Sequence, residues 1–301
     1  MLKLIVVPLD GSQFGEHAIP TALSLAGRDR AELELVHVFE ALEPFRMVQG
    51  APVFDSDLDR DLMNDRLAYL ESVAVSLGPE TSAKVIPTVL VGQAKEVLAE
   101  HVERRRPDLV AMTTHGRGGL SRLWLGSVTL HLVRHVTRPV LAIRPEKEGA
   151  RRPEPARFQR VLIPLDTSSE AERAIDIAVE VAGERGVEYV LVHVLVPLVW
   201  VGPEPVPPVV PNEAELLATA EGYLNEVAGR LRARGLKVQT RVLWDPHPAH
   251  AILETADEIR ADLVSLETSG KRGLEKVLLG SVADKVLRGA PSPVLVQRRT
   301  A

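Results

Sequence analysis

A chain of 301 residues with 45% hydrophobic and 26% charged residues has the composition of a globular protein long enough for two domains, each able to bury its own core. Its net charge of -5 gives no electrostatic footprint for nucleic acid, and 4% aromatic content leaves few platforms for stacked bases. Zero cysteines exclude disulfides, thiol catalysis and thiolate metal sites, and fit a cytoplasmic location.

The opening Met1-Leu2-Lys3-Leu4-Ile5-Val6-Val7 is apolar, but Pro8 and Asp10 end the run too early for a signal segment, so it reads as a buried first strand. Short Val/Ile/Leu runs then alternate with stretches of helical period, as expected of parallel strands covered by crossover helices. Strands are predicted near 2–9, 32–39, 84–90, 108–113 and 139–144, and helices near 15–27, 57–77, 93–105 and 127–137. Arg151-Arg152-Pro153-Glu154-Pro155, charged and rich in proline, marks a connector, placed at 147–158 between domains at 1–146 and 159–301. Beyond it, strands are predicted near 160–166, 187–195, 237–243, 262–267 and 292–297. The apolar stretch from Tyr189 to Val201 is interrupted by His193 and Pro197 and falls short of the roughly 20 residues that span a bilayer, so no membrane partner is expected. The pattern predicts two tandem α/β domains with doubly wound parallel sheets, Rossmann-like, with five strands and four helices each and right-handed crossovers.

The two halves are copies. Pro8-Leu9-Asp10 returns as Pro164-Leu165-Asp166, and Leu35-Val36-His37-Val38 as Leu191-Val192-His193-Val194, both 156 positions later. Asp108-Leu109-Val110 returns as Asp262-Leu263-Val264, and Pro139-Val140-Leu141 as Pro293-Val294-Leu295, both 154 positions later. The same offset of 154 relates Gly116, nine residues, Gly126-Ser127 to Gly270, nine residues, Gly280-Ser281.

Ligands of doubly wound sheets sit beyond the carboxyl ends of the strands, where the strand order reverses. The glycine motif falls there: the strand at 108–113 runs into a loop from Thr114 to Leu125, and Gly126-Ser127 then opens an apolar-periodic helix. Glycines let a ligand approach the backbone, Ser127 can cap the helix or place a hydroxyl in its first turn, and the free amides behind it suit a phosphate.

This loop, together with Pro8-Leu9-Asp10-Gly11-Ser12, Val36-His37-Val38 and Arg138-Pro139-Val140-Leu141, resembles the universal stress protein family, over essentially the whole chain. The resemblance implies the adenine nucleotide alpha hydrolase-like fold and the family's ATP-binding branch, marked by glycine, two residues, glycine, nine residues, glycine and Ser/Thr. One departure occurs in each copy, where the first glycine is Thr113 or Glu267. Thr113 can still face a ribose, whereas Glu267 can bond ribose hydroxyls but repels phosphate. Carried over residue by residue, the resemblance implies that Asp10 and Asp166, ending strands at Pro8 and Pro164, hold ribose or adenine polar groups, and that the backbone at Val38 and Val194 meets the adenine edge. Gly116, Gly126, Ser127 and Val128 would hold phosphates in one copy, and Gly270, Gly280, Ser281 and Val282 in the other. His115 and Arg117 lie in the first motif loop, His115 as an ordering residue; Arg122, Lys271, Arg272 and Lys276 are loop cations, read singly as solvated.

His131 and His135 have a spacing that can bind metal, but no glutamate follows His131 and no third ligand is placed, so they read as structural or surface residues, as do His247 and His250. His37 and His193 read as packed or hydrogen-bonded residues beside the adenine position. The proline-rich run from Val196 to Pro211 is either a cover for the second site or a stiff connection. No P-loop sequence is present and neither motif loop carries an acidic residue other than Glu267 placed to hold metal or activate water, so ATP is expected to be hydrolysed slowly or not at all, with Mg²⁺ arriving on the phosphates. The reading is thus an ATP-binding stress-response or signalling module, with a nucleotide-free protein-interaction module or a slow ATPase or nucleotidyl-transferring enzyme as alternatives. The resemblance also implies that the closing strands pair in an intramolecular pseudo-dimer, with a further homodimer and an unnamed protein partner left open.

Overall fold

A computed structural model describes residues 1–40, 46–48, 51–53, 56–78, 81–114, 125–145, 154–168, 171–197, 212–268 and 279–298. The chain divides into two compact units, Met1–Ala156 and Arg157–Ala301. In the first unit the order is β1 (Leu4–Pro8), α1 (Gln13–Glu16), α2 (Ile19–Asp29), β2 (Glu32–Phe39), β3 (Arg46–Val48), β4 (Ala51–Val53), α3 (Ser56–Leu77), β5 (Val85–Val91), α4 (Ala94–Arg105), β6 (Leu109–Thr113), α5 (Ser127–His135) and β7 (Val140–Ile143). The second unit continues with β8 (Arg160–Pro164), α6 (Arg173–Ala182), β9 (Glu188–Leu195), α7 (Glu213–Ala233), β10 (Lys237–Trp244), α8 (Pro248–Glu258), β11 (Leu263–Thr268), α9 (Ser281–Gly289) and β12 (Val294–Arg298).

Within the first unit the parallel strands lie in the order β7-β6-β1-β2-β5, and within the second in the matching order β12-β11-β8-β9-β10. Each unit therefore has the doubly wound topology expected from the sequence. The chain runs from its first strand to one side and then returns to the other, so the order reverses between β1 and β6 and between β8 and β11. Those two gaps at the carboxyl ends of the strands are the ligand-binding positions of such a sheet.

Central strands are apolar on both faces because helices cover both sides: Ile5, Val6 and Val7 in β1, and Val161, Leu162 and Ile163 in β8, have no measurable exposure. The repeated aspartates at 108 and 262 act at the opposite, amino-terminal end. Asp108 Oδ2 accepts from Lys3 N at 2.6 Å and Leu4 N at 3.0 Å, and Asp262 accepts from Gln159 N at 2.8 Å and Arg160 N at 3.1 Å. These landmarks brace the entry of the first strand of each unit, away from the ligand end.

Two local departures from the sequence expectation occur. The single helix expected at 15–27 is two pieces, α1 and α2: Ser12 caps α1, and Pro20 sits in the first turn of α2, where its missing amide is tolerated. A short antiparallel pair, β3 with β4, precedes α3 and has no counterpart among the predicted strands.

Candidate functional site

Beyond β1 the chain turns through Leu9 and Asp10. Leu9 N donates to Val36 O at 2.8 Å, so the exit of β1 remains tied to β2. Asp10 Oδ1 accepts from Ser12 N at 3.0 Å and from Ser12 Oγ at 2.6 Å, while Ser12 Oγ accepts from Gly15 N at 3.1 Å. The turn needs Gly11 at φ 79, and a Cβ on Gly15 would come within 2.6 Å of Asp10 Oδ1. The second unit repeats the arrangement: Asp166 Oδ1 accepts from Ser168 N at 3.1 Å and Ser168 Oγ at 2.5 Å, and Ser168 Oγ accepts from Ala171 N at 3.2 Å. Thr167 takes the left-handed conformation there, at φ 67, and Asp166 is exposed where Asp10 is half-buried.

Beside this turn, β2 outruns β1. Pro8 is the last partner of β2, opposite Val36, whereas β2 continues through Val38 to Phe39 with β5 alongside. In the second unit Pro164 faces Val192 and β9 continues through Val194 to Leu195 beside β10. The backbone at Val38 and Val194 thus lies past the end of the neighbouring first strand. His37 and His193 hold the step between them: each Nδ1–H donates to the carbonyl of the residue before the aspartate, Leu9 or Leu165, at 2.8 Å. Since a carbonyl only accepts, each Nδ1 carries the proton, which is the packed, hydrogen-bonded role expected of these histidines.

Across the reversal point, β6 ends at buried Thr113, and α5 begins at Ser127 with Gly126 as its cap. Gly126 N donates to Thr114 O at 2.6 Å, and Thr129 Oγ1 donates to Thr113 O at 3.0 Å, so the first turn of α5 is fixed to the end of β6. A Cβ on Gly126 would lie 3.0 Å from Thr114 O; part of the reason for this glycine is therefore close backbone packing. No side chain caps α5 and no acidic residue lies in its first turn. The first amides of a helix lack partners within it, so Ser127, Val128 and Thr129 present donors at the positive end of the macrodipole. Ser127 is exposed and is the first helical residue, a first-turn hydroxyl.

The matching end of the second unit is not identical. Gly280 caps α9 with backbone angles within a few degrees of those of Gly126, and exposed Ser281 and half-buried Val282 follow. Ala283 stands in the place of Thr129, and Asp284 lies in the first turn, held by Arg288 at 2.9 and 3.1 Å. Glu267, half-buried near the end of β11, faces Gln297 of β12, where the first unit pairs Thr113 with Ile143. His115, Gly116, Arg117, Arg122, Gly270, Lys271, Arg272 and Lys276 lie outside the described residues, as do Arg151 to Pro153 and most of the proline-rich run. Among the described residues no group of three or more His, Cys, Asp or Glu is placed to hold a metal ion, and no helix is long and apolar enough to cross a membrane. His131 and His135 stack at 4.0 Å, with His135 Nδ1 bonded to His131 O at 2.8 Å.

The universal stress protein family model matches residues 1–144 and again 157–298. The chain belongs to the universal stress protein family. A universal stress protein of Mycolicibacterium smegmatis is 30% identical over 306 residues, covering 98% of this chain and 96% of that one. One from Mycobacterium tuberculosis is 28% identical over 308 residues with the same coverage. The crystal structure of a universal stress protein from Archaeoglobus fulgidus superposes with a TM-score of 0.70 at 20% identity, covering 99% of this chain and 98% of that one, and shares the tandem fold.

Sequence reasoning missed a second set of repeated residues in this family member. Glu16, at the end of α1, accepts from Tyr69 Oη of α3 at 2.9 Å, and Glu172 accepts from Tyr223 Oη of α7 at 3.3 Å. Burial first, and then the Glu172 carboxylate, push the Tyr223 phenol well above its ordinary pKa. Both pairs were legible as matches between the two halves, at the offsets of 156 and 154 that the other landmarks follow.

Proposed function

We propose that this universal stress protein is an ATP-binding stress-response or signalling module, with nucleotide held at the reversal point of each sheet. The observation that carries the reading is the uncapped, acid-free N-terminus of α5, anchored by Gly126 and Thr129 to the end of β6, across from the Asp10 turn on β1. A bound triphosphate would meet the amides of Ser127 and Val128 and the Ser127 hydroxyl, and ribose or adenine groups would meet Asp10 and the backbone at Val38. Mg²⁺ would be carried mainly by the phosphate oxygens. With no general base assigned beside the site, binding and release rather than turnover would be the signal, and the bound state would be what protein partners read.

The second unit supports the reading less strongly. Glu267 replaces Thr113, and Asp284 adds a second carboxylate to the first turn of α9. Two acidic groups at a phosphate position disfavour a triphosphate, so the second site should bind more weakly or prefer a less charged nucleotide.

The test uses Ser127→Asp. An acidic side chain at the first helical position favours the helix by about 0.3 to 1 kcal/mol but repels phosphate. Calorimetry should therefore show ATP binding lost from one site while thermal stability is kept or raised. Unchanged ATP affinity would overturn the reading, as would the absence of any adenine nucleotide bound by the parent protein.

A further inference from the structure

The two units have drifted apart in sequence, and the number of residues between Glu16 and Tyr69 is not the number between Glu172 and Tyr223: the separations are 53 and 51. The same carboxylate–phenol contact is nevertheless made in both, so an insertion or deletion between the partners was accommodated while the contact was kept. Its place in the fold is informative. Glu16 closes the single turn α1, which starts from the Ser12 cap, and the Ser12 hydroxyl is the donor to Asp10 Oδ1. Tyr69 therefore grips the far end of a seven-residue segment whose near end is the proposed ribose-binding aspartate. The Tyr69 ring also meets His37 edge-on, with centroids 6.4 Å apart, and His37 in turn holds the carbonyl of Leu9.

We infer that Tyr69 and Glu16, and in the second unit Tyr223 and Glu172, are positioning pairs that strap the long helix α3 or α7 to the aspartate turn and so set the orientation of Asp10 or Asp166 for nucleotide. The inference rests on the proposed nucleotide site for its functional consequence, although the strap itself is a property of the fold. A one-turn helix supplies too few hydrogen bonds to hold its own geometry, so in the first unit the Tyr69 phenol adds at the far end of the segment a tie to those that Asp10 and His37 make at its near end. The two straps differ in strength. Glu172 also accepts from Arg230 at 2.5 Å, whereas the equivalent position in the first unit is Ser76, whose hydroxyl donates to Val73 O. Loss of the phenol should consequently be felt more in the first unit.

The experiment compares Tyr69→Phe and Tyr223→Phe in the full chain, reading amide exchange at Ser12 and Gly15, or Ser168 and Ala171, together with ATP calorimetry. Removing one hydrogen bond to a charged acceptor in Tyr69→Phe should speed exchange at Ser12 and Gly15 by about tenfold. ATP binding at that site should weaken by about tenfold, the scale for losing an outer partner that orients a binding group, with the melting temperature little changed. Tyr223→Phe should do less on both readouts. Glu16→Gln, which retains a carbonyl acceptor for Tyr69, should stay near the parent, while Glu16→Leu should match Tyr69→Phe, and the double variant Tyr69→Phe/Glu16→Leu should be no worse than either. Unchanged exchange at Ser12 and Gly15 in Tyr69→Phe would overturn the strap whatever ATP does. Faster exchange with unchanged ATP affinity, in a protein that loses ATP on Ser127→Asp, would overturn its role in binding. If Ser127→Asp has no effect on ATP, the nucleotide reading fails separately, and the exchange data alone decide the strap.

Discussion

Glu34 offers the sharpest physical test, because the duplication contains its own control. Its side chain, on β2, is 3% exposed and accepts from Thr88 Oγ1 at 2.8 Å, His101 Nε2 at 3.1 Å and Arg105 Nε at 3.1 Å. Arg104 donates to His101 Nδ1 at 3.2 Å, which leaves Nε2 as the nitrogen that carries the proton toward Glu34. Burial pushes the Glu34 carboxyl up, but hydrogen bonds from His101, Thr88 and Arg105 outweigh it and hold the group at about 2, against an ordinary 4.5. A folded pKa below the unfolded one means stability that is complete above pH 4.5 and is lost as pH falls toward 2. At 1.36 kcal/mol per unit this amounts to about 3 kcal/mol.

In the second unit the positions of Glu34, His101 and Arg105 hold Val190, Thr255 and Ile259, and the charges stand instead at the surface, as Arg241 with Glu258 at 3.0 Å. One carboxylate removed and its cations left behind should be worse than the whole set replaced. Glu34→Val alone should therefore cost about 3 to 5 kcal/mol at pH 7, whereas Glu34→Val with His101→Thr and Arg105→Ile should recover most of that loss. Denaturant unfolding followed by circular dichroism would measure both, and hydrogen exchange along β2 would assign the change to the first unit. Between pH 4.5 and 2 the parent should lose stability that the triple variant keeps. A single variant within about 0.5 kcal/mol of the parent, the range of an ordinary surface change, would refute the argument, as would a triple variant as unstable as the single.

Other outcomes follow from the sites. Ser127→Ala should weaken ATP binding by roughly tenfold to a hundredfold, the value of about 1.5 to 3 kcal/mol for one hydrogen bond to a charged group, measured by calorimetry. Glu267→Gly should tighten ATP binding in the second unit if the carboxylate faces phosphate and weaken it if the carboxylate holds ribose; a stoichiometry of one that Ser281→Asp leaves unchanged would show that this unit is unused. Steady-state phosphate release should be slow or absent, and release at ordinary enzyme rates that Ser127→Ala and Ser281→Ala together abolish would contradict that expectation.

What the sequence made legible was whatever repeats locally or by period. The apolar runs of β1, β2, β6 and β7 are read directly from buried Val, Ile and Leu, and Gly126 with Ser127 marks the start of α5 where the structure places it. The break between α1 and α2 was less visible, because Pro20 within an apolar-periodic stretch is compatible with a helix that simply begins there. Glu34 was not legible at all. A charge in an otherwise apolar strand reads as solvent-facing, and the partners that permit its burial come from 54 to 71 residues away. Tyr69 and Glu16 recur in the second half at the landmark offsets, but each is ordinary on its own helix, and only the folded chain shows that the two meet.

The comparison between units also separates what the fold requires from what a ligand would require. The Asp-x-Ser turn, the histidine on the preceding carbonyl and the phenol on the glutamate are kept in both, although Gly11 became Thr167 and Gly15 became Ala171. In both units the aspartate accepts from the serine amide and hydroxyl two residues on, so its carboxylate is part of the turn that carries it. At the other side of the reversal point the units diverge, with Thr113 against Glu267, Thr129 against Ala283 and Leu130 against Asp284. All three changes lie near the end of the strand or in the first turn of the helix that follows the motif loop, and two of them introduce a carboxylate, that of Asp284 being paired with Arg288. On the proposed nucleotide reading, divergence at that end beside a preserved aspartate turn is the pattern expected if the two units retained a common way of holding a nucleoside while losing a common preference for the number of phosphates attached to it.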